Sequence, residues 1–290
     1  MFLCQVRLHD KIALSKEALS MRRITAVIIV CTMMIGLLTA CGNPKPVEPP
    51  TETSQKTELV VFAAASMTET LEEIAKTYET EHSNIKLTFN FDSSGTLKTQ
   101  IEEGAPCDLF ISAAAKQMDG LNDGGYIDAA TRIDLLENKV ALCVAENSKS
   151  GITSYEDMKS HLEKGDILMA MGNEDVPVGQ YTQKIFAYFG LDEKELSDKG
   201  VLTYGSNVKE VTTQISEGTV DCGVIYQTDA YSAGLKVSDT ATEEMCGKVI
   251  YPAAVLKNSA HADEIREFLA YLQTEAAGEV FSKVGFTPIK

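Results

Sequence analysis

Residues 59–81 read LVVFAAASMTETLEEIAKTYETE, and the change of period inside this stretch decides the fold. Leu59–Ala63 is a short apolar run, the mark of a strand buried on both faces of a parallel sheet. From Ser66 the period turns helical, and Met67, Leu71, Ile74, Ala75 and Tyr78 share one face. Glu69, three residues after Ser66, predicts a capping box at the start of that helix. Next, Ile85–Phe91 alternates between apolar and polar residues and reads as a strand. Ser94 precedes a helix that carries Leu97 and Ile101 and stops at Gly104. Asp108–Ser112 reads as a third strand, and a short helix around Met118 and Leu121 ends at Gly124-Gly125. Strand followed by helix, three times over, implies an α/β fold with a parallel sheet and crossover helices.

Working outward, Val140–Ala145, Ile167–Met171, Val201–Tyr204, Gly223–Tyr226 and Val249–Leu256 read as strands. Helices are expected at Gly179–Phe189, Val208–Glu217, Asp263–Gln273 and Glu275–Val284. Helices on both faces of two sheets leave the carboxyl ends of the strands for a ligand.

Towards the amino end, Met21-Arg22-Arg23 precedes a 17-residue apolar stretch, Ile24–Ala40. A basic segment, a short apolar core and small residues at its end describe a secretory signal over 1–40. A transmembrane helix needs about 20 apolar residues, and this run is shorter and holds three Thr and a Gly. Residues 1–20 make a poor basic segment, so translation is expected to start at Met21. Leu38-Thr39-Ala40-Cys41 resembles a bacterial lipobox, which implies a diacylglycerol on the Cys41 thiol, and two acyl chains anchor stably. Residues 41–57 hold four of the eight prolines and read as an extended tether.

The chain has 290 residues, 42 of them acidic and 26 basic, for a formal net charge of -16. Five basic and two acidic residues leave with 1–40, so the exported part carries -19. That balance excludes a nucleic-acid binder and adsorption to an anionic membrane surface. At first sight it also disfavours a small anion. Of the cysteines that remain after the signal and Cys41, Cys107, Cys143, Cys222 and Cys246 show no regular spacing, and four buried free thiols are expected. A Cys143–Cys246 bridge is the alternative in an exported protein.

Enzyme chemistry finds little support. His82, His161 and His261 are isolated on polar stretches, without metal-ligand spacing. Ser206–Lys209 fits S-x-x-K but lacks the companion motifs, and no nucleophile elbow, Walker A or dinucleotide fingerprint is present. The informative feature is a set of turns that deliver small or hydroxylic residues to helix starts. They are Ala63–Ser66, Asp92–Thr96, Val176–Gly179 and Gly205–Val208. Each helix start presents free backbone N–H groups and the positive end of a helix dipole. One such turn is an ordinary cap; four around one crevice make an oxyanion cradle.

The same turns carry a resemblance. V-F-A-A-A-S (61–66), D-S-S-G-T-L (92–97), G-A-P-C-D-L-F-I-S-A (104–113), N-E-D-V-P-V-G (173–179), G-V-I-Y-Q-T-D-A (223–230) and V-G-F (284–286) together resemble the molybdate-binding proteins of ABC importers. The resemblance runs through residues 58–290. It implies the type II periplasmic-binding-protein fold, two α/β lobes with mostly parallel sheets joined by two crossover strands, near Val140–Ala145 and Val249–Leu256. Lobe one is then 58–141 plus 249–290, and lobe two is 142–248. It implies that the oxyanion, molybdate or tungstate, is held by hydroxyl and N–H of Ser66 and Ser94, by the N–H groups of Val178 and Val208, and by the Tyr226 hydroxyl, with no direct metal ligand and no cofactor. It further implies an extracytoplasmic, lipid-anchored monomer whose partner is an ABC permease with its ATPase. Read without the family, Tyr226 is equally a core tyrosine with a paired hydroxyl. Asp92, where the family carries a small residue, is expected to face solvent or hold the following turn; the alternative is that it faces the pocket, supplies the missing acceptor and admits protonated phosphate. Two other functions compete: a receptor for sulfate or another small oxyanion, and an exported hydrolase using Ser66 or Ser94.

Overall fold

A computed structural model describes residues 56–290. The signal segment, the start at Met21, Cys41 and all but the end of the tether lie outside the described residues. Among the described residues no helix is long and apolar enough to cross a membrane.

Strand β1 (Thr57–Ala64) passes through a 3-10 turn, Ala65–Met67, into helix α1 (Thr68–Glu81). Then come β2 (Ile85–Asp92), α2 (Ser94–Glu102), β3 (Leu109–Ile111) and α3 (Ala115–Asp123). β1 lies between β2 and β3, parallel to both. Being covered on both faces explains its unbroken apolar run. Leu59, Val61 and Ala63 join the core that holds Leu71, Ile74 and Tyr78 of α1. Phe62, one residue out of step, turns to the other face with Leu97, Ile101, Phe110 and Met118.

Antiparallel strands complete this sheet: β4 (Ile133–Asn138), β10 (Val249–Val255) and β11 (Thr287–Pro288), in the order β11-β4-β10-β3-β1-β2. A second sheet holds β5 (Val140–Val144), β6 (Met169–Gly172), β7 (Leu202–Gly205), β8 (Cys222–Tyr226) and β9 (Val237–Thr240), in the order β7-β6-β8-β5-β9. In it β6 is parallel to β7 and β8, whereas β5 is antiparallel to β8 and β9. The fold is therefore two-lobed α/β, each lobe a mixed sheet flanked by helices. The antiparallel partners β4, β9 and β11 are not legible as strands in the sequence. β9 and β11 are short edge strands, and β4 carries Asp134 and Glu137, so none shows a buried apolar run.

The helices of the second lobe are α4 (Tyr155–Lys164), α5 (Pro177–Phe189), α6 (Glu193–Asp198), α7 (Val208–Ser216), α8 (Gln227–Ala233) and α9 (Glu243–Cys246). The chain ends with α10 (Ala262–Tyr271) and α11 (Glu275–Val284), ahead of β11. Between the sheets the chain passes first at Lys139, the single residue separating β4 from β5, and returns through α9. Val140 and Ala141, given to lobe one by the resemblance, pair with Tyr226 and Ile225 of the second sheet. Strand partners rather than apolarity decide where a crossing strand changes lobe. All four described cysteines are free. Cys107 is half-buried rather than buried, because it sits in the turn before β3 with its Sγ 3.2 Å from the Leu109 carbonyl.

Candidate functional site

The chain reaches the cleft between the sheets at the carboxyl ends of β1, β2, β6, β7 and β8, and there the helix starts converge. One cavity is lined by Ser66, Ser94, Val178, Val208 and Tyr226, together with Ala64, Ala65, Asp92, Ser93, Ala113, Val176 and Pro177. The structure thus brings all five sequence-derived site residues to one place, from both lobes. The void is small, about 10 Å³, room for a single compact guest.

Local sequence explains how each group arrives. Ser93, rather than Ser94, caps α2: its Oγ accepts from the Thr96 N–H at 3.1 Å. Ser94 is the first helical residue, fully buried, and its Oγ accepts from the Ala113 N–H at 3.0 Å. The Ser94 proton is not used in that bond. Pro177 stands at the first position of α5, where its missing N–H costs nothing. Asn207 caps α7, its Oδ1 accepting from the Glu210 N–H at 3.1 Å. The first intrahelical bonds run from Gln180 N to Val176 O in α5 and from Val211 N to Asn207 O in α7. The Val178 and Val208 N–H groups precede them and belong to the first-turn donors that the helix leaves unpaired. Gly179 lets α5 start this close to β6, since a Cβ there would lie 2.3 Å from the Gly172 carbonyl oxygen.

The capping box expected at Ser66 does not form. α1 begins at Thr68 behind the 3-10 turn, and its N-cap, Met67, makes no side-chain cap. Ser66 Oγ instead lies 2.9 Å from the Tyr251 hydroxyl, and Asn138 Nδ2 donates to that hydroxyl at 3.2 Å. The amide can only donate, so it takes an acceptor position of the Tyr251 hydroxyl; with Tyr251 then donating to Ser66, one of the two arrangements this pair allows, the Ser66 proton is left for the cavity. Asn138 Oδ1 accepts from the Lys139 N–H at 2.8 Å, and its Nδ2 also donates to Thr228 Oγ1 at 3.0 Å. This polar chain sits where the chain crosses between sheets. Sequence reading missed it, because Tyr251 and Asn138 lie far from Ser66 in the chain.

Tyr226 is buried and its hydroxyl has no hydrogen-bond partner among the described residues. The described residues supply no partner of the kind a paired core tyrosine would have. Burial first, then the neighbouring Tyr251, pushes the Tyr226 hydroxyl well above its ordinary value, so it stays a neutral donor. Its ring meets Tyr181 and Tyr251 edge-on, with centroids 6.3 and 5.8 Å away.

No Lys or Arg lines the cavity, and its one charged wall residue is Asp92. Asp92 holds the following turn, accepting from the Ser93 N–H at 2.7 Å, but it does not simply face solvent. The same Oδ1 accepts from Asn207 Nδ2, across the cleft, at 3.3 Å. Two further contacts bridge the cleft. Gly95 packs so tightly on the other lobe that a Cβ would sit 2.2 Å from the Asp175 carbonyl oxygen. Lys209 of α7 donates to both Glu69 carboxylate oxygens of α1, at 2.8 and 2.9 Å. Lys209 also lies 3.4 Å from the buried carboxylate of Asp229, whose oxygens accept no hydrogen bond. Burial pushes Asp229 up to about 6, against the opposing pull of Lys209.

Neither serine is arranged for hydrolysis. Ser66 pairs with a tyrosine and Ser94 with a backbone amide, so neither hydroxyl meets a base that would activate it. Among the described residues no group of three or more His, Cys, Asp or Glu is placed to hold a metal ion. What the site can do is donate hydrogen bonds, from three hydroxyls and several helix starts, to a guest that only accepts.

Residues 59–287 match the family of bacterial extracellular solute-binding proteins. The chain is 37% identical over 239 residues to the Bacillus subtilis protein YvgL, named an ABC transporter substrate-binding lipoprotein, covering 82% of this chain and 89% of that one. It is 36% identical over 235 residues to the molybdate-binding protein ModA of Escherichia coli, covering 79% and 89%. The periplasmic molybdate-binding protein of Azotobacter vinelandii shares the fold, with a TM-score of 0.70 over 80% of this chain and all of that one at 19% identity. These relatives are substrate-binding proteins, and the chain is an extracytoplasmic solute-binding protein of an ABC importer, not an enzyme. It belongs to the bacterial extracellular solute-binding proteins, in their ModA-type branch.

Proposed function

We propose that this chain captures molybdate, and tungstate with it, outside the cytoplasmic membrane and delivers it to an ABC permease driven by its ATPase. The observation that carries the reading is the buried, unpartnered hydroxyl of Tyr226 facing a cavity of donors. Leaving a buried donor unpaired costs about 1–3 kcal/mol, so its place in the fold makes sense when a ligand completes it. A tetrahedral dianion accepts hydrogen bonds at every oxygen and donates none. Charge-assisted bonds are worth roughly 1.5–3 kcal/mol each, and several of them offset dehydration and the closing of the lobes. Phosphate near neutral pH carries a proton and needs an acceptor; the one carboxylate on the wall, Asp92, has its Oδ1 engaged by Ser93 and Asn207, and its negative charge beside a second anion works against phosphate there. Sulfate has the right charge and shape but is smaller, so fit alone rejects it.

Titration calorimetry of the exported chain with molybdate, tungstate, sulfate and phosphate tests the reading. Tight binding of the first two, weak binding of sulfate and none of phosphate are expected. Tight sulfate or phosphate binding without a molybdate response overturns it. The lipid anchor at Cys41 rests on the lipobox resemblance and on a relative named a lipoprotein. Cys41→Ser is expected to move the protein from the membrane fraction to the soluble one, and retention in the membrane refutes the anchor.

A further inference from the structure

Beside the cavity, on the flank of α5, lies a groove of about 460 Å³ that the binding reading leaves without a role. Lys116, Lys184 and Lys248 line it, with Ala114, Gln180 and Tyr181 among their neighbours and no carboxylate. In a chain of net charge -16 such a place is unusual. Like most of the described lysines, none of these three takes part in an ion pair among the described residues, and Lys184 Nζ lies 5.0 Å from the centre of the Tyr181 ring. The acids nearest to these lysines in sequence, Asp119, Glu243 and Glu244, do not line the groove, and Asp119 is paired with Arg132. A second groove, which shares Gln183 with the first, has the opposite character, with Glu174, Asp192 and Glu193 against a single Lys194.

The basic groove also leads somewhere. Lys116 comes from the first lobe, at the start of α3; Lys184 comes from α5 of the second; Lys248 lies on the return passage between them. Ala113 is wall of the cavity and Ala114, next in the chain, is wall of the groove. Tyr181 stands between the two, lining the groove while its ring meets that of Tyr226. Charge acts on an arriving ion within about one Debye length, roughly 8 Å at physiological salt, so a groove that borders the cavity weighs more than carboxylates on distant faces. A cleft lined by one sign of charge raises the local concentration of the opposite ion and its rate of arrival.

We propose that this groove is the vestibule of the cleft, a transient second site where small inorganic dianions are collected before they pass between the lobes. The proposal rests on the reading that the cavity takes an oxyanion. In it, Lys116, Lys184 and Lys248 set the rate of capture, and the donors of the cavity set how long the ion stays. The division explains how a strongly acidic protein collects an anion with a binding cavity that contains no cation.

The experiment is stopped-flow tyrosine fluorescence, at low and at physiological salt, with molybdate and separately with sulfate as the added ion. Three proteins are compared: the unmodified exported chain, the triple variant K116Q/K184Q/K248Q, and the control K149Q/K164Q/K236Q. The control removes the same charge from exposed lysines elsewhere. The groove variant is expected to lose about tenfold in association rate at low salt, with its dissociation rate within about twofold. The control is expected to change little, and the gap is expected to shrink as salt rises. Equal association rates in all three proteins, with the ion still bound tightly, overturn the vestibule and leave the cavity reading intact. An equal loss in both variants assigns the effect to net charge and overturns it as well. If the unmodified chain binds neither ion, the cavity reading and the vestibule fall together.

Discussion

The decisive side chains are those whose hydrogen bonds inside the protein leave a proton over. Ser94 accepts from Ala113, Ser66 pairs with the Tyr251 hydroxyl, and Tyr226 has no hydrogen-bond partner among the described residues. Tyr226→Phe removes a hydroxyl that no described residue uses. It is expected to leave the thermal midpoint of the ligand-free protein unchanged or slightly raised, while weakening oxyanion binding tenfold to a hundredfold, about 1.5–3 kcal/mol. Calorimetry and a melting curve on the same sample check both halves. Ser94→Ala costs a comparable loss of affinity but also destabilises, because the Ala113 N–H loses its acceptor. Asp229 makes a pH prediction. Its carboxyl titrates near 6 in the folded protein against an ordinary 3.8, so the folded state holds the proton more tightly in that window. Stability therefore falls as pH rises from about 4 through 6, and above that a buried charge persists, offset chiefly by Lys209. Glu69 on the facing helix works against the ionised form as well. Asp229→Asn is expected to gain, relative to the unmodified protein, on the order of 2 kcal/mol between pH 4 and pH 7.5. A difference that stays constant with pH in denaturant titrations refutes this.

Elements matter here through their starts. α2, α5 and α7 begin at one point in space because three strands end there, and each start has its own device: Ser93 as cap, Pro177 at the first position, Asn207 as cap. Ser93→Ala is expected to cost about 1 kcal/mol of stability, with a smaller effect on affinity than Ser94→Ala. Gly95 shows how an element's backbone serves closure. It lies in the first turn of α2, and any Cβ there would press on the Asp175 carbonyl of the other lobe at 2.2 Å. Gly95→Ala is expected to keep or slightly raise the stability of the open protein, since alanine favours the helix. It is also expected to weaken ligand binding at least tenfold by holding the lobes apart. Small-angle scattering with and without molybdate checks it, the unmodified chain contracting on binding and the variant failing to. The helix starts also mark where the sequence was most and least legible. The turns at 63–66, 92–96, 176–179 and 205–208 announced four helix starts from residue type alone. Which serine capped and which pointed inward did not follow from type, because Ser93 and Ser94 are chemically the same. The tertiary contact with Ala113 separates them.

At the scale of the whole molecule, ligand binding and stability are linked through closure. A ligand that binds the folded state alone adds RT ln(1 + [L]/Kd), about 4 kcal/mol at a thousandfold excess over Kd. A clear rise in melting temperature with molybdate is therefore expected, and little or no rise with phosphate at the same ionic strength. The contacts across the cleft, Asp92 with Asn207 and Glu69 with Lys209, are the natural fasteners of that closed form. The sequence by itself determined the α/β class, because the switch from a short apolar run to a helical period recurs along the chain, while the two lobes came only from the family resemblance its turns carry. It also determined which residue types stand at the helix starts, since caps and small residues act locally. Only the tertiary structure decided the antiparallel halves of both sheets, because strands such as β4 and β9 gain their identity from partners distant in the chain. It alone decided that Ser66 answers to Tyr251 rather than to its own helix, and that Tyr226 is left unpaired. A hydroxyl's partner is a matter of position in space, which neither composition nor period encodes.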